Sequence, residues 1–253
     1  MDKYTPIVIL FGPPICGKTM VLLRLIRYLE NNGFIVEPVA NYRPNDSYYQ
    51  QICDDFHRIV YNDIVNIQIK YLMVKVLDRR GRSICYILKI PGQLCFDPSF
   101  FPPQPVTNAI TNILSLPNRR IWMFMQELDD MWQSITIRNA YVARIHQMAQ
   151  LLNNDNVIFV CNKIDKKPVL MLPNRLPNNK AILNELESLY GGIFAVFEIR
   201  NPIIRLFRKY NFSFVPFSSG SFSNNSYGKV VYIPSEEYYP RLLWNAIMKA
   251  VRK

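Results

Sequence analysis

Short, unbroken hydrophobic runs alternate along this chain with longer stretches in which apolar residues recur every three or four positions. Thr5 to Phe11 is the first such run, of a length that suits one buried strand. Lys18 to Asn31 follows with Val21, Leu22, Leu25, Ile26 and Leu29 at helical spacing, and Gly33 stops it. Phe34 to Val39 predicts a second strand. A polar, Tyr-rich segment from Asn41 to Gln51 then leads into a helix reaching about Asn62. Ile67 to Leu77 and Ser83 to Ile90 read as strands joined by a hairpin turn at Asp78-Arg79-Arg80-Gly81-Arg82.

Pro91 to Pro105 is loop-like, because Pro98, Pro102, Pro103 and Pro105 lack backbone donors; a short helix is predicted over Val106 to Ser115. Ile121 to Gln126 and Val157 to Cys161 are further buried strands, separated by a long helix over Trp132 to Leu152. Lys166 to Lys180 is a polar, proline-bearing insertion, with helical patterns beyond it to Tyr210. Phe212 to Phe217 and Val230 to Ile233 are strand candidates, and Pro240 to Arg252 is a closing helix. Strands alternating with helices imply an α/β fold: a mainly parallel sheet, helices on both faces, and one antiparallel hairpin strand.

With 253 residues, 49% of them hydrophobic, one large domain over 1–253 fits better than two separately cored ones. The N-terminus lacks a cationic segment and a cleavage site, so no signal peptide is expected. No apolar run approaches the ~18 residues a membrane span needs. The five cysteines (Cys16, Cys53, Cys85, Cys95, Cys161) and two histidines have no metal-binding spacing, which points to free thiols in a reducing, cytoplasmic compartment. The net charge of +11 favours anionic partners; nucleic acid or an anionic membrane surface would fit it, but the basic residues come in small groups and no base-reading motif accompanies them.

Gly12-Pro13-Pro14-Ile15-Cys16-Gly17-Lys18-Thr19 fits G-x-x-x-x-G-K-[ST] between a predicted strand and a predicted helix, the context that motif requires. Backbone N–H groups of such a loop and the helix N-terminus offer donors and positive potential to phosphates. Lys18 is placed to neutralise the β and γ oxygens, and the Thr19 hydroxyl to ligate Mg2+. A phosphate loop alone does not choose between ATP and GTP. Asn162-Lys163-Ile164-Asp165, directly after the Val157 to Cys161 strand, does.

With both motifs in place the chain resembles the Ras-like small GTPases of the translation-factor-related (TRAFAC) P-loop class, in a divergent form similar in style to bacterial members that lack tidy switch motifs. The resemblance implies GTP or GDP as ligand. It implies that Asp165 accepts from guanine N1 and the exocyclic amine, that Asn162 braces the phosphate loop, and that the Lys163 stem covers the base. Phe217-Ser218-Ser219-Gly220 resembles the family's third base motif, giving Ser218, Ser219 and Gly220 as a loose match. The family's D-x-x-G-Q falls on Lys89-Ile90-Pro91-Gly92-Gln93. Gly92 stands at the γ-phosphate sensor and Gln93 at the residue orienting the attacking water, whereas Lys89 replaces the metal-holding aspartate.

A switch threonine is missing between Glu30 and Gln68, where Ser47 is the sole aliphatic hydroxyl and Arg43 a possible charge stabiliser. Asp129 and Asp130 are an alternative carboxylate source. A GTPase-class switch with slow intrinsic hydrolysis is therefore expected, with a pseudo-GTPase interaction module as the alternative. A P-loop kinase or ATPase is disfavoured by the Asn162 to Asp165 motif. Protein partners are expected at the 91–105 loop and at a helical insertion over about 166–210.

Overall fold

The computed structural model describes residues 2–61, 69–97, 99, 105–128, 134–152, 155–174, 176–224 and 230–253. Its centre is strand β1 (Ile7–Phe11), every residue of which is buried. A strand apolar on both faces needs cover on both, and helices supply it. β1 runs parallel to β4 (Ser83–Lys89), pairing Ile7 with Tyr86, and to β5 (Arg120–Glu127), pairing Ile7 with Arg120. Beyond β5 lie β6 (Asn156–Asn162) and β7 (Ser213–Pro216), both parallel. On the other side β3 (Leu72–Leu77) runs antiparallel to β4 and to β2 (Ile35–Pro38), giving the order β2-β3-β4-β1-β5-β6-β7. The expected α/β architecture is present, with β3 as the one reversed strand of that sheet. A separate hairpin, β8 (Gly220–Asn224) with β9 (Val230–Pro234), adds a strand the sequence did not suggest.

Helix α1 (Lys18–Asn31) packs on α9 (Tyr238–Val251). Between β2 and β3 the expected single helix is two short ones, α2 (Ser47–Asp54) and α3 (Phe56–Tyr61). Of the strand predicted over Ile67 to Leu77, Ile67 and Gln68 lie outside the described residues and the observed strand runs from Leu72. The carbonyls of Ile69 and Lys70 accept instead from a lysine ammonium. A one-turn helix α4 (Gly92–Cys95) opens the proline-rich loop, followed by α5 (Asn108–Leu114), α6 (Ile135–Leu151), α7 (Asn179–Leu189) and α8 (Pro202–Phe207).

The 190–212 segment is fixed to the sheet by rings. Phe159 of β6 lies 5.0 Å from Phe194, 5.3 Å from Phe197 and 4.6 Å from Phe212 between ring centres. All five cysteines are free and buried. Among the described residues no helix is long and apolar enough to cross a membrane.

Candidate functional site

The site forms where the parallel strands end, the usual place for ligands in open α/β sheets. β1 ends at Phe11 and the chain turns through Gly12–Gly17 into α1. Gly12 passes so close to β5 that a Cβ there would sit 2.7 Å from the Met125 carbonyl oxygen. Gly17 has φ +87°, and a Cβ would come within 2.2 Å of Asn162 Nδ2. Ile15 is also left-handed, φ 69°, and 80% exposed. A β-branched residue avoids that conformation, so the loop imposes it. Strain of this kind collects where a fold must present its backbone to a ligand.

Lys18 is buried and its ammonium donates to the Gly12 and Pro13 carbonyls, each at 2.6 Å. Thr19 is half-buried at the first turn of α1. A cavity of about 630 Å3 opens in front of them. On one side it is lined by Pro14, Ile15, Gly17, Lys18 and Thr19; on the other by Ile69, Lys70, Lys89, Pro91, Gly92 and Gln93. The phosphate loop and the switch-like turn therefore share one space. Gly92 presses on the loop so tightly that a Cβ would lie 2.4 Å from the Pro14 nitrogen. Gln93 is exposed at the rim.

The electrostatics of this cavity are unusual. Pro13 and Pro14 lack N–H groups, so two of the loop's donors to an anion are gone. Lys89 is buried at the end of β4 and donates to the carbonyls of Ile69 and of Lys70, the latter at 2.9 Å. Burial, reinforced by the charge of Lys18, pushes its pKa down to about 8. Lys18, Lys70 and Lys89 thus line the cavity together, and among the described residues no carboxylate does. Among the described residues no group of three Asp, Glu, His or Cys could hold a metal. Mg2+ asks for oxygen ligands and negative charge. Among the described residues the lining, with the Lys89 ammonium where the motif's aspartate would stand and Thr19 as its one hydroxyl, does not fit a resident Mg2+.

At the other end, β6 delivers Asn162 with its Nδ2 donating to the Cys16 carbonyl at 3.2 Å. Its Oδ1 is buried and has no partner among the described residues, an open acceptor of a kind that folded proteins rarely leave unused. Lys163 is left-handed, φ 58°, and its ammonium ion-pairs with buried Glu127 at the end of β5. Asp165 is exposed in the following turn. The Phe217–Ser219 loop is tied to it, since Ile164 N–H donates to the Phe217 carbonyl (3.2 Å) and Phe217 N–H to the Cys161 carbonyl (2.7 Å).

Ser218 and Ser219 are buried, and Gly220, the first residue of β8, donates its N–H to Ser218 Oγ at 3.2 Å. Behind them Ser235 Oγ donates to the Ser218 carbonyl (2.6 Å), Tyr232 hydroxyl donates to the Ser219 carbonyl, and Arg24 of α1 donates to the Ser235 carbonyl at 2.7 Å.

Two expected contributors stand elsewhere. Arg43 pairs with Asp46 at 2.9 Å and lies 4.1 Å from the Tyr71 ring centre, while Ser47 is exposed at the start of α2; neither lines the phosphate cavity. Asp129 and Asp130 lie outside the described residues. Sequence reasoning missed Ile69, Lys70 and Glu127. For Glu127 a signal existed: Gln126-Glu127 is a polar pair closing the apolar run Ile121 to Met125.

No family model and no curated protein matches the chain. Solved structures do resemble it. Nucleolar GTP-binding protein 1 of Plasmodium falciparum is 13% identical, with 100% of this chain and 90% of that one covered and a TM-score of 0.48. A chain of the signal recognition particle receptor SRb-GTP/SRX complex from Chaetomium thermophilum is 13% identical over 88% and 94%, with a TM-score of 0.47. The S. cerevisiae Ski7 GTPase-like domain, bound to GTP, is 14% identical over 99% of this chain and 51% of that one, with a TM-score of 0.49.

Proposed function

We propose that this chain binds a guanine nucleotide, GTP or GDP, along the groove from Gly12–Thr19 to Asn162–Asp165, and that it is a GTPase-class switch with slow intrinsic hydrolysis. The observation that carries this reading is the hydrogen bond from Asn162 to Cys16. It joins the two motifs in space, so the phosphate loop and the candidate base-reading turn face one ligand.

On this reading the N–H groups after Pro14 and the ammonium of Lys18 bind phosphate. The Asp165 carboxylate accepts from the guanine edge, the Lys163 stem covers the base under the hold of Glu127, and the Ser218–Gly220 backbone faces the exocyclic oxygen. Gly92 and Gln93, on the cavity wall facing the phosphate loop, are assigned to the terminal phosphate and its attacking water. Lys89 supplies charge in place of a divalent ion. It neutralises the ground state but does not draw charge from the leaving oxygen as a bound metal would, so hydrolysis is slow.

The same observation supports a second reading, a pseudo-GTPase module that binds without turnover. In both, the turn at Pro91–Gln93 reports the ligand to a protein partner, because it shares a wall with the phosphate loop.

The test is to denature the purified protein and identify the nucleotide released, then to titrate the emptied protein with GTP and ATP. GTP retained, with binding that prefers guanine, supports slow or absent turnover. GDP marks an enzyme that completes the reaction. Equal binding of GTP and ATP overturns the base assignment.

A further inference from the structure

The longest continuously exposed stretch near the sheet edge is also rich in large apolar side chains. Asn201 to Lys209 are all exposed, and within them Ile203 is 69%, Ile204 50%, Leu206 84% and Phe207 88% exposed. This is not an unformed loop. Asn201 caps α8, its Oδ1 accepting from the N–H groups of Ile203 (3.0 Å) and Ile204 (3.3 Å), and Pro202 occupies the first turn, where no donor is needed.

The two ends of the protrusion are clamped. Ile199 N–H donates to the Lys209 carbonyl (3.0 Å), Asn211 N–H to the Phe197 carbonyl (2.7 Å), and Glu198 bridges to Tyr210. Below the clamp, Phe197 and Phe212 pack on Phe159 of the sheet. A rigid base thus lifts a short helix into solvent.

At about 100° per residue, Leu206, Ile203, Phe207 and Ile204 cover an arc of about 160°, with Arg205 roughly opposite its middle. Arg200, Arg208 and Lys209 flank the helix and are exposed. The two nearby carboxylates, Glu198 and Glu187, touch Arg205 and Lys209 only at 3.5 to 3.8 Å and leave the cations in excess.

We propose that α8 and its basic collar dock this protein onto an anionic lipid bilayer, the apolar arc entering the boundary between headgroups and acyl chains. Charge selects this occupant. A helix with a broad apolar face, an arginine before it and an arginine and a lysine after it is built for that boundary, where basic side chains reach anionic headgroups. The net charge of +11 adds long-range attraction of the same sign. The anchor lies in the interface without spanning it, and it is separate from the nucleotide groove.

The experiment is co-sedimentation of the full chain with phosphatidylcholine vesicles, with and without phosphatidylserine. The natural protein is expected to bind the mixed vesicles at least tenfold more tightly than neutral ones, and high salt should release most of it. Leu206→Ser with Phe207→Ser should abolish binding, and Arg200→Glu should weaken it severalfold, with melting temperature and nucleotide binding unchanged because these side chains are exposed. Phe207→Trp should show a blue-shifted emission on adding mixed vesicles.

Absence of binding to either vesicle, or binding indifferent to Leu206 and Phe207, overturns the proposal. So does lipid-free self-association that the double substitution abolishes, which would make the occupant a second copy of the chain.

Discussion

The two ends of the groove are built by different means. Around Asn162 and Asp165 the polypeptide is organised by directed hydrogen bonds: Asn162 to Cys16, Ile164 to Phe217, Ser235 to Ser218. Around Lys18 the loop has lost two N–H donors to Pro13 and Pro14, and three lysines crowd the space with no carboxylate beside them among the described residues. The contrast shows which demands are exacting. A base is told from another base by where donors and acceptors lie, and a mismatch leaves buried groups unpaired. Phosphate charge can be met by positive charge from several directions, so on the proposed reading ammonium groups take the place of a metal and of part of a loop. Catalysis is the exception, because it needs charge that strengthens at the transition state.

The sharpest way to break the contrast is Lys18→Ala. Nucleotide binding is expected to fall by about a thousandfold or more, given the strength of charge-assisted contacts to phosphate, with the melting temperature little changed. Calorimetry with GDP and GTP that finds unchanged affinity removes Lys18 from the site.

At the base end, Asp165→Asn should lower GTP affinity by about two orders of magnitude and raise that for xanthosine triphosphate, because the new amide puts a donor where the carboxylate had an acceptor. A variant that keeps its preference for GTP shows that the base is read elsewhere.

Metal dependence comes next. Chelating Mg2+ should weaken GTP binding by less than about tenfold in the natural protein, whereas Lys89→Asp should make binding and single-turnover hydrolysis depend on the ion. Brisk, strictly Mg2+-dependent hydrolysis by the natural chain would defeat the idea that Lys89 stands in for a metal.

The smallest effect is with pH. Lys89 is held down to about 8 by burial and by Lys18, with the buried thiols Cys95 and Cys16 acting weakly the other way. Polyphosphate beside the ammonium favours the charged form, so binding takes up a proton once the free lysine begins to lose its own. Affinity should therefore decline as pH rises above about 8, by at most tenfold per pH unit, and Lys89→Met should flatten the profile. The free protein should gain stability over the same window, since the unfolded chain, with an ordinary pKa of 10.5, keeps the proton longer.

What the sequence made legible was what is local in the chain. The strand, loop and helix from Ile7 to Asn31 and the turn after β6 follow from composition and spacing, and both form as expected. The reversed strand β3 was visible because Asp78–Arg82 is a turn in its own right, with Asp78 accepting from the N–H groups of Arg80 and Arg82 at 2.8 and 2.9 Å.

What stayed hidden depends on partners far along the chain. The first residues of the strand predicted from Ile67 look like sheet, yet Ile69 and Lys70 give their carbonyls to Lys89, a demand no local pattern reveals. Strand β8 begins in a serine-rich segment with few apolar residues, and it exists because β9 returns beside it. Glu127 reads as the polar end of a strand until Lys163 arrives to neutralise it.

Arg24 gives the groove a further property. Its guanidinium, rooted in α1 and hardly exposed, holds Ser235, and Ser235 holds the carbonyl of Ser218. The helix whose first turn faces the phosphate cavity is thereby strapped to the loop beside the base. If α1 tilts, both ends of the groove move as one piece, and the distance between them is a constant of the fold. On the proposed reading the groove then works as a gauge: a nucleotide is admitted by its span as well as its chemistry, and a molecule that is too short can satisfy either end but never both.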